Sequence, residues 1–221
     1  MRKKLFKQIR SRLSIGCMLL LGFASCTEEF SKILPETGTD ETEDIVFGQP
    51  KVLLLLVDGA RGESVRQASI PNMNKIIPQS ILSWNSLSSE NVKGITANWT
   101  DIFTGVSYKK HGVIDDDFSA NKLASFPLVF DRILKHEATS KLKLISPDAA
   151  FVANYGSDSQ GEKVASDQEV TSTLINTLQS EADITMLTGH FTNINAQGKS
   201  AGYDNSFPTY KSAIETFDGQ V

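Results

Sequence analysis

Val52-Leu53-Leu54-Leu55-Leu56-Val57-Asp58-Gly59 decides the fold class: six apolar side chains run without a break and stop at an acid and a glycine. An amphipathic helix would place apolar groups every three or four residues, and a half-exposed strand every two. An unbroken run suits a parallel strand covered on both faces. Ile81 to Leu87, Leu142 to Ser146 and Ile184 to Thr188 read as further strands of this kind, separated by stretches with helical signals. Pro71 opens one predicted helix and Pro127 another, the latter carrying Leu128, Phe130, Ile133 and Leu134. Ser166-Asp167-Gln168-Glu169 has the spacing of a capping box, and Val170, Leu174 and Leu178 share one face after it, so a helix ending near Ser180 is expected. Strands alternating with helices predict an α/β domain, a mostly parallel sheet with helices on both faces. Working groups in such sheets sit on loops at the carboxyl ends of the strands.

Toward the amino terminus the composition changes twice. Arg2, Lys3, Lys4, Lys7, Arg10 and Arg12 precede an apolar stretch from Leu13 to Ala24, which reads as a signal peptide over residues 1–25. The stretch is shorter than the roughly 20 residues that span a bilayer. It ends in Phe23-Ala24-Ser25-Cys26, which resembles the lipobox of bacterial lipoproteins. Cys26 is then the expected lipidation site and new amino terminus. The alternative is an ordinary secretory signal that leaves Cys26 a free thiol. The only other cysteine, Cys17, lies in the leader, so the exported part has no internal disulfide. Residues 26–49 are acidic, Thr-rich and poor in large apolar groups, as a solvated tether is. Residues 50–221 form the folded domain.

The full chain carries a formal charge of −4, and residues 1–25 hold six basic side chains and no acid, which leaves −10 on the remainder. That balance argues against nucleic acid as a partner. The expected placement is the bacterial cell envelope, lipid-anchored.

Two residues stand where chemistry is expected. Asp58 ends the first strand and is either a turn or N-cap residue before Gly59 or a metal ligand at the sheet edge. Thr96 lies at the start of a predicted helix, Ala97 to Phe103, closed by Gly105, and is either its N-cap or a hydroxyl facing an anion. Val57-Asp58-Gly59-Ala60-Arg61, Pro71-Asn72-Met73-Asn74, Thr104-Gly105 and His111-Gly112-Val113 follow one another in an order that resembles the type I phosphodiesterase and nucleotide pyrophosphatase branch of the alkaline phosphatase superfamily, related to sulfatases. The resemblance runs from about Lys51 to Val221. It implies an alkaline-phosphatase-like core, zinc or another divalent cation held in part by Asp58, Thr96 as the nucleophile, and hydrolysis of phosphate or related esters, glycan- or nucleotide-borne ones among them.

The chain departs from that pattern in three places. Thr96-Ala97-Asn98-Trp99 lacks a proline found two residues after the family's nucleophile and runs one residue short before Thr104-Gly105, leaving Thr100 as a substitute. The family's Asp-x-x-Gly-His ligand motif falls on Asn195-Ala196-Gln197-Gly198-Lys199, between matching Gly202-Tyr203-Asp204 and Phe217-Asp218-Gly219. An amide oxygen is a weak ligand, and a lysine ammonium has no lone pair. The remaining family ligands would fall beyond Val221, so the domain is expected to be incomplete at its carboxyl end, the last residues reading as helix. His111 reads as a turn residue, His136 as a partner of a helix dipole, and His190 as bordering the cleft without matching a ligand. Three explanations follow: a piece of a longer hydrolase-like lipoprotein, a non-catalytic lipoprotein that binds a ligand on the same fold, or a one-metal hydrolase in which Lys199 replaces a cation.

Overall fold

The computed structural model describes residues 51–87 and 94–221; the leader, Cys26 and the tether lie outside the described residues. Four strands, β1 (Val52–Val57), β2 (Lys141–Ser146), β3 (Gly161–Lys163) and β4 (Ile184–Phe191), form one sheet in the order β1-β4-β2-β3. Every pairing is parallel. The helices are α1 (Gly62–Gln67), α2 (Pro71–Ile76), α3 (Ile95–Thr104), α4 (Tyr108–His111), α5 (Val129–His136), α6 (Ala149–Tyr155), α7 (Asp167–Ser180), α8 (Asn193–Ala201) and α9 (Pro208–Asp218). This is the expected α/β architecture.

Strand periodicity divides the core in two. Leu55 and Val57 of β1, Ile145 of β2, and Leu187 and Phe191 of β4 pack with Val170 and Leu174 of α7 and Tyr210, Ile214 and Phe217 of α9. Their strand neighbours Leu54, Leu56, Leu142, Leu144 and Met186 face the other way, onto Trp99 and Phe103 of α3, Phe130 of α5, and Phe151 and Tyr155 of α6. Helices therefore cover both faces, which is why the strands read as unbroken apolar runs. A Cβ at Gly189 would lie 2.7 Å from Leu174 Cδ1, so a larger residue there would force the Leu174 side chain of α7 to shift.

Several boundaries differ from expectation. Residues 81–87 form no strand, and Ile81 and Leu87 are 84% and 91% exposed. Their apolar positions, 81, 82, 84 and 87, do not alternate, so no single face could be buried; Trp84 alone packs onto the core. Strand β3 went unforeseen because Gly161-Glu162-Lys163 carries no apolar signal; it pairs with β2 through its backbone, and Glu162 meets Lys143 of β2 at 3.2 Å. Strand β4 runs three residues past Thr188, taking in His190. Helix α7 has the expected cap, with Ser166 Oγ accepting from Glu169 N–H, and ends at Ser180. The last helix stops at Asp218 with Gly219 at its C-cap, rather than running on to Val221.

Candidate functional site

The alternation that sorts the core also aligns a polar row. Positions 54 and 56 of β1, 142 and 144 of β2, and 186 of β4 face α3 and α6, so Asp58, Ser146 and His190 face the same side at the carboxyl ends of three adjacent strands. They join into one chain of hydrogen bonds. His190 Nε2 lies 2.8 Å from Asp58 Oδ2, and His190 Nδ1 lies 2.7 Å from Ser146 Oγ. Ser146 Oγ also accepts from Asp148 N–H at 2.9 Å, and Trp99 Nε1 donates to Asp58 Oδ1 at 2.9 Å. Serine and histidine are wholly buried and Asp58 is 7% exposed. The imidazole stacks on Phe151 with ring centroids 4.0 Å apart, and Trp99 meets it edge-on at 4.7 Å. Asp58 is thus neither a helix cap nor a turn acceptor; its side chain turns inward to Trp99 and His190.

The turn after β1 is held from below. Tyr210 of α9 donates its hydroxyl to Gly59 C=O at 2.7 Å and accepts from Arg61 N–H at 3.2 Å. Gly59 adopts φ +74°, and a Cβ there would lie 2.6 Å from Asn195 Cα, so only glycine lets α8 approach the strand end. Asn195 therefore sits beside Asp58's turn, and its Oδ1 accepts from Tyr203 Oη at 2.5 Å. Burial, followed by the charges of Tyr210 and Asp58, pushes the Tyr203 phenol above its ordinary range. Lys199, one helical turn on, is exposed and does not line the cleft. The structure brings Asn195 to the site and leaves Lys199 outside.

Thr96 is the second residue of α3, not its N-cap, which is Gly94. Its hydroxyl donates to Asp116 Oδ1, and its backbone N–H points to the same oxygen at 3.4 Å. Trp99, three residues on, reaches Asp58, so α3 carries Thr96 and the group that grips Asp58 on adjoining turns. Thr100 does not substitute for Thr96, because its hydroxyl is buried against Thr96 C=O and Tyr155 Oη. Burial also raises the Tyr155 phenol strongly. A cleft of about 510 Å³ opens here, lined by Asp58, Arg61, Ile95, Asn98, Trp99 and Tyr203 among others.

Three further sequence features find their places. His111 is the last residue of α4 rather than a turn residue, and is wholly buried, with Nε2 2.6 Å from Asp101 Oδ1 and Nδ1 accepting from Val113 N–H. His136 ends α5 and lines a larger cavity of about 680 Å³ near the amino-terminal edge of the sheet, away from this chemistry. Asp218 is buried and accepts from Asn72 and Met73 N–H at 3.0 and 2.8 Å, so the motifs at 71–74 and 217–219 meet as a cap on α2. Sequence reasoning missed Ser146, Tyr210 and Asp116. Strand parity could have found Ser146; the other two carry no local signal.

The donor set can be weighed against a divalent cation. Both Asp58 oxygens accept hydrogen bonds, Asn195 Oδ1 takes a phenol, and Lys199 is a cation away from the cleft. Among the described residues no group of three or more His, Cys, Asp or Glu is arranged to hold a metal ion. The donors described therefore do not by themselves fit a two-cation centre.

Fold and site together define an α/β domain with a polar cluster at the carboxyl edge of a parallel sheet. No protein-family model matches the chain, and no curated protein matches it either.

Proposed function

We propose that this chain is a lipid-anchored bacterial envelope protein whose α/β domain is a phosphodiesterase-like hydrolase of the alkaline phosphatase superfamily, acting on phosphate or related esters. One observation supports it above the others. Asp58 at the end of β1 lines the cleft, and α3, which grips it through Trp99, carries Thr96 next to the cleft residue Ile95, in the order the sequence motifs imply. Asp58 is the acidic residue of the site and Thr96 its nucleophile. The test is hydrolysis of bis(p-nitrophenyl) phosphate by the purified chain, with and without added zinc. Activity lost in both Asp58→Asn and Thr96→Val supports the reading; release of nitrophenol unaffected by Thr96→Val sinks it.

A second reading, ligand binding without cleavage, is favoured by Asn195 and Lys199. A binding module takes up no stoichiometric zinc and shows no turnover, whereas its cleft retains a glycan or nucleotide ester. Equilibrium dialysis against zinc separates the two. The anchor is tested independently by metabolic labelling with a fatty acid, which Cys26→Ser should abolish.

A further inference from the structure

The loop after α4 holds an unusual backbone. Asp115 and Asp116 have φ +52° and +71°, and Ile114 and Asp117 exchange backbone hydrogen bonds across them at 3.3 and 2.9 Å. That is a tight two-residue hairpin of the left-handed type, where glycine or asparagine is usual and a residue with a larger side chain is strained. The turn is clasped onto the start of α3. Asp115 Oδ1 accepts from Gly94 N–H at 3.0 Å, and a Cβ on Gly94 would lie 2.6 Å from Asp115 Cα. The result of this packing is the contact already described, Asp116 Oδ1 against Thr96 Oγ1.

Thr96 Oγ1 has one hydrogen, and it goes to a carboxylate. Asp116 is exposed and meets solvent, while Thr96 is 5% exposed and its chain neighbour Ile95 lines the cleft. We propose that Asp116 is the general base for Thr96, a catalytic residue that activates the hydroxyl without a bound cation. The inference rests on the reading of Thr96 as nucleophile. As Thr96 Oγ1 bonds to phosphorus, its proton passes to Asp116 Oδ1; the bond from phosphorus to the leaving oxygen breaks on the opposite side, and that oxygen takes a proton from solvent while the exposed Asp116 releases its own to water, giving the free alcohol and a Thr96 phosphoester. No oxidant, reductant or further reactant is needed. A positioned carboxylate in this role contributes about 100-fold or more.

The test does not depend on turnover. The purified chain, treated with EDTA, is incubated with a dialkyl fluorophosphate, and the adduct is located by peptide mass spectrometry; fluoride leaves as the Thr96–phosphorus bond forms. The expected result is a Thr96 adduct in the native chain, none in Thr96→Val, and labelling slowed about 100-fold in both Asp116→Asn and Asp116→Gly. Both substitutes tolerate the positive φ, and unchanged melting temperatures establish that the turn survives. Added formate restores labelling in Asp116→Gly but not in Thr96→Val, which a purely structural role for Asp116 would not produce. An unlabelled Thr96 in the native chain, or labelling undiminished or faster without the carboxylate, overturns the inference. The phosphodiester assay decides the wider reading separately.

Discussion

Trp99 shows how one side chain serves packing and polarity together. Its ring meets Phe151 edge-on at 4.6 Å, and its indole N–H satisfies one oxygen of a carboxylate that is 7% exposed. Trp99→Phe keeps an aromatic ring while removing the indole donor from that oxygen. Hydrogen bonds to charged groups are worth about 1.5–3 kcal/mol, so the variant should lose roughly that much in urea unfolding followed by circular dichroism. A loss below a few tenths would show that water replaces the indole, and that Asp58 is more open than its burial implies. At this scale the sequence was half legible. Asp58 and Thr96 stood out because of where they fall relative to a strand and a helix. Their partners His190 and Asp116 did not, since they lie 132 and 20 residues away.

At the scale of elements, helix ends are held by carboxylates brought from elsewhere. Asp218 caps α2, and Asp167 reaches Thr192 and Asn193 N–H at the start of α8. Asp131 accepts from Leu128 N–H at the start of α5, but burial and then the neighbouring Asp158 raise its pKa above the ordinary 3.8. A carboxyl whose folded pKa is raised contributes stability that is fully present below its unfolded pKa. That contribution is lost as pH rises through the folded value, leaving a net penalty at neutral pH. Asp158→Asn removes the like charge, so its melting temperature should exceed the native one at pH 7 and converge with it below about pH 3.8. An advantage that persists at pH 3 would assign the gain to something other than Asp131. Caps made within one segment, such as Ser166 with Glu169, can be read from spacing alone. Those made across the fold cannot.

Across the whole molecule, β1 is an edge of the described sheet, and it is apolar. Among the described residues it pairs only with β4, and Val52 and Leu53 are 52% and 48% exposed. An exposed apolar edge strand invites pairing with another chain. The purified protein should therefore associate as its concentration rises, and Leu53→Lys should reduce that association in sedimentation velocity without changing the melting temperature. A native chain that stays monomeric at high concentration would show that this edge is protected in solution.

The fold class follows from the sequence alone because unbroken apolar runs and capped, periodic helices are local patterns, and local patterns suffice to set strand, helix and parallel layering. Sequence also singles out Asp58 and Thr96 through position within their elements. Only the tertiary structure decides that Asp58 is locked by His190 and Trp99, that Asn195 abuts Gly59 while Lys199 faces away, and that Asp116 meets the Thr96 hydroxyl. Strand order and loop packing set those contacts, and neither is written in the spacing of residues along the chain.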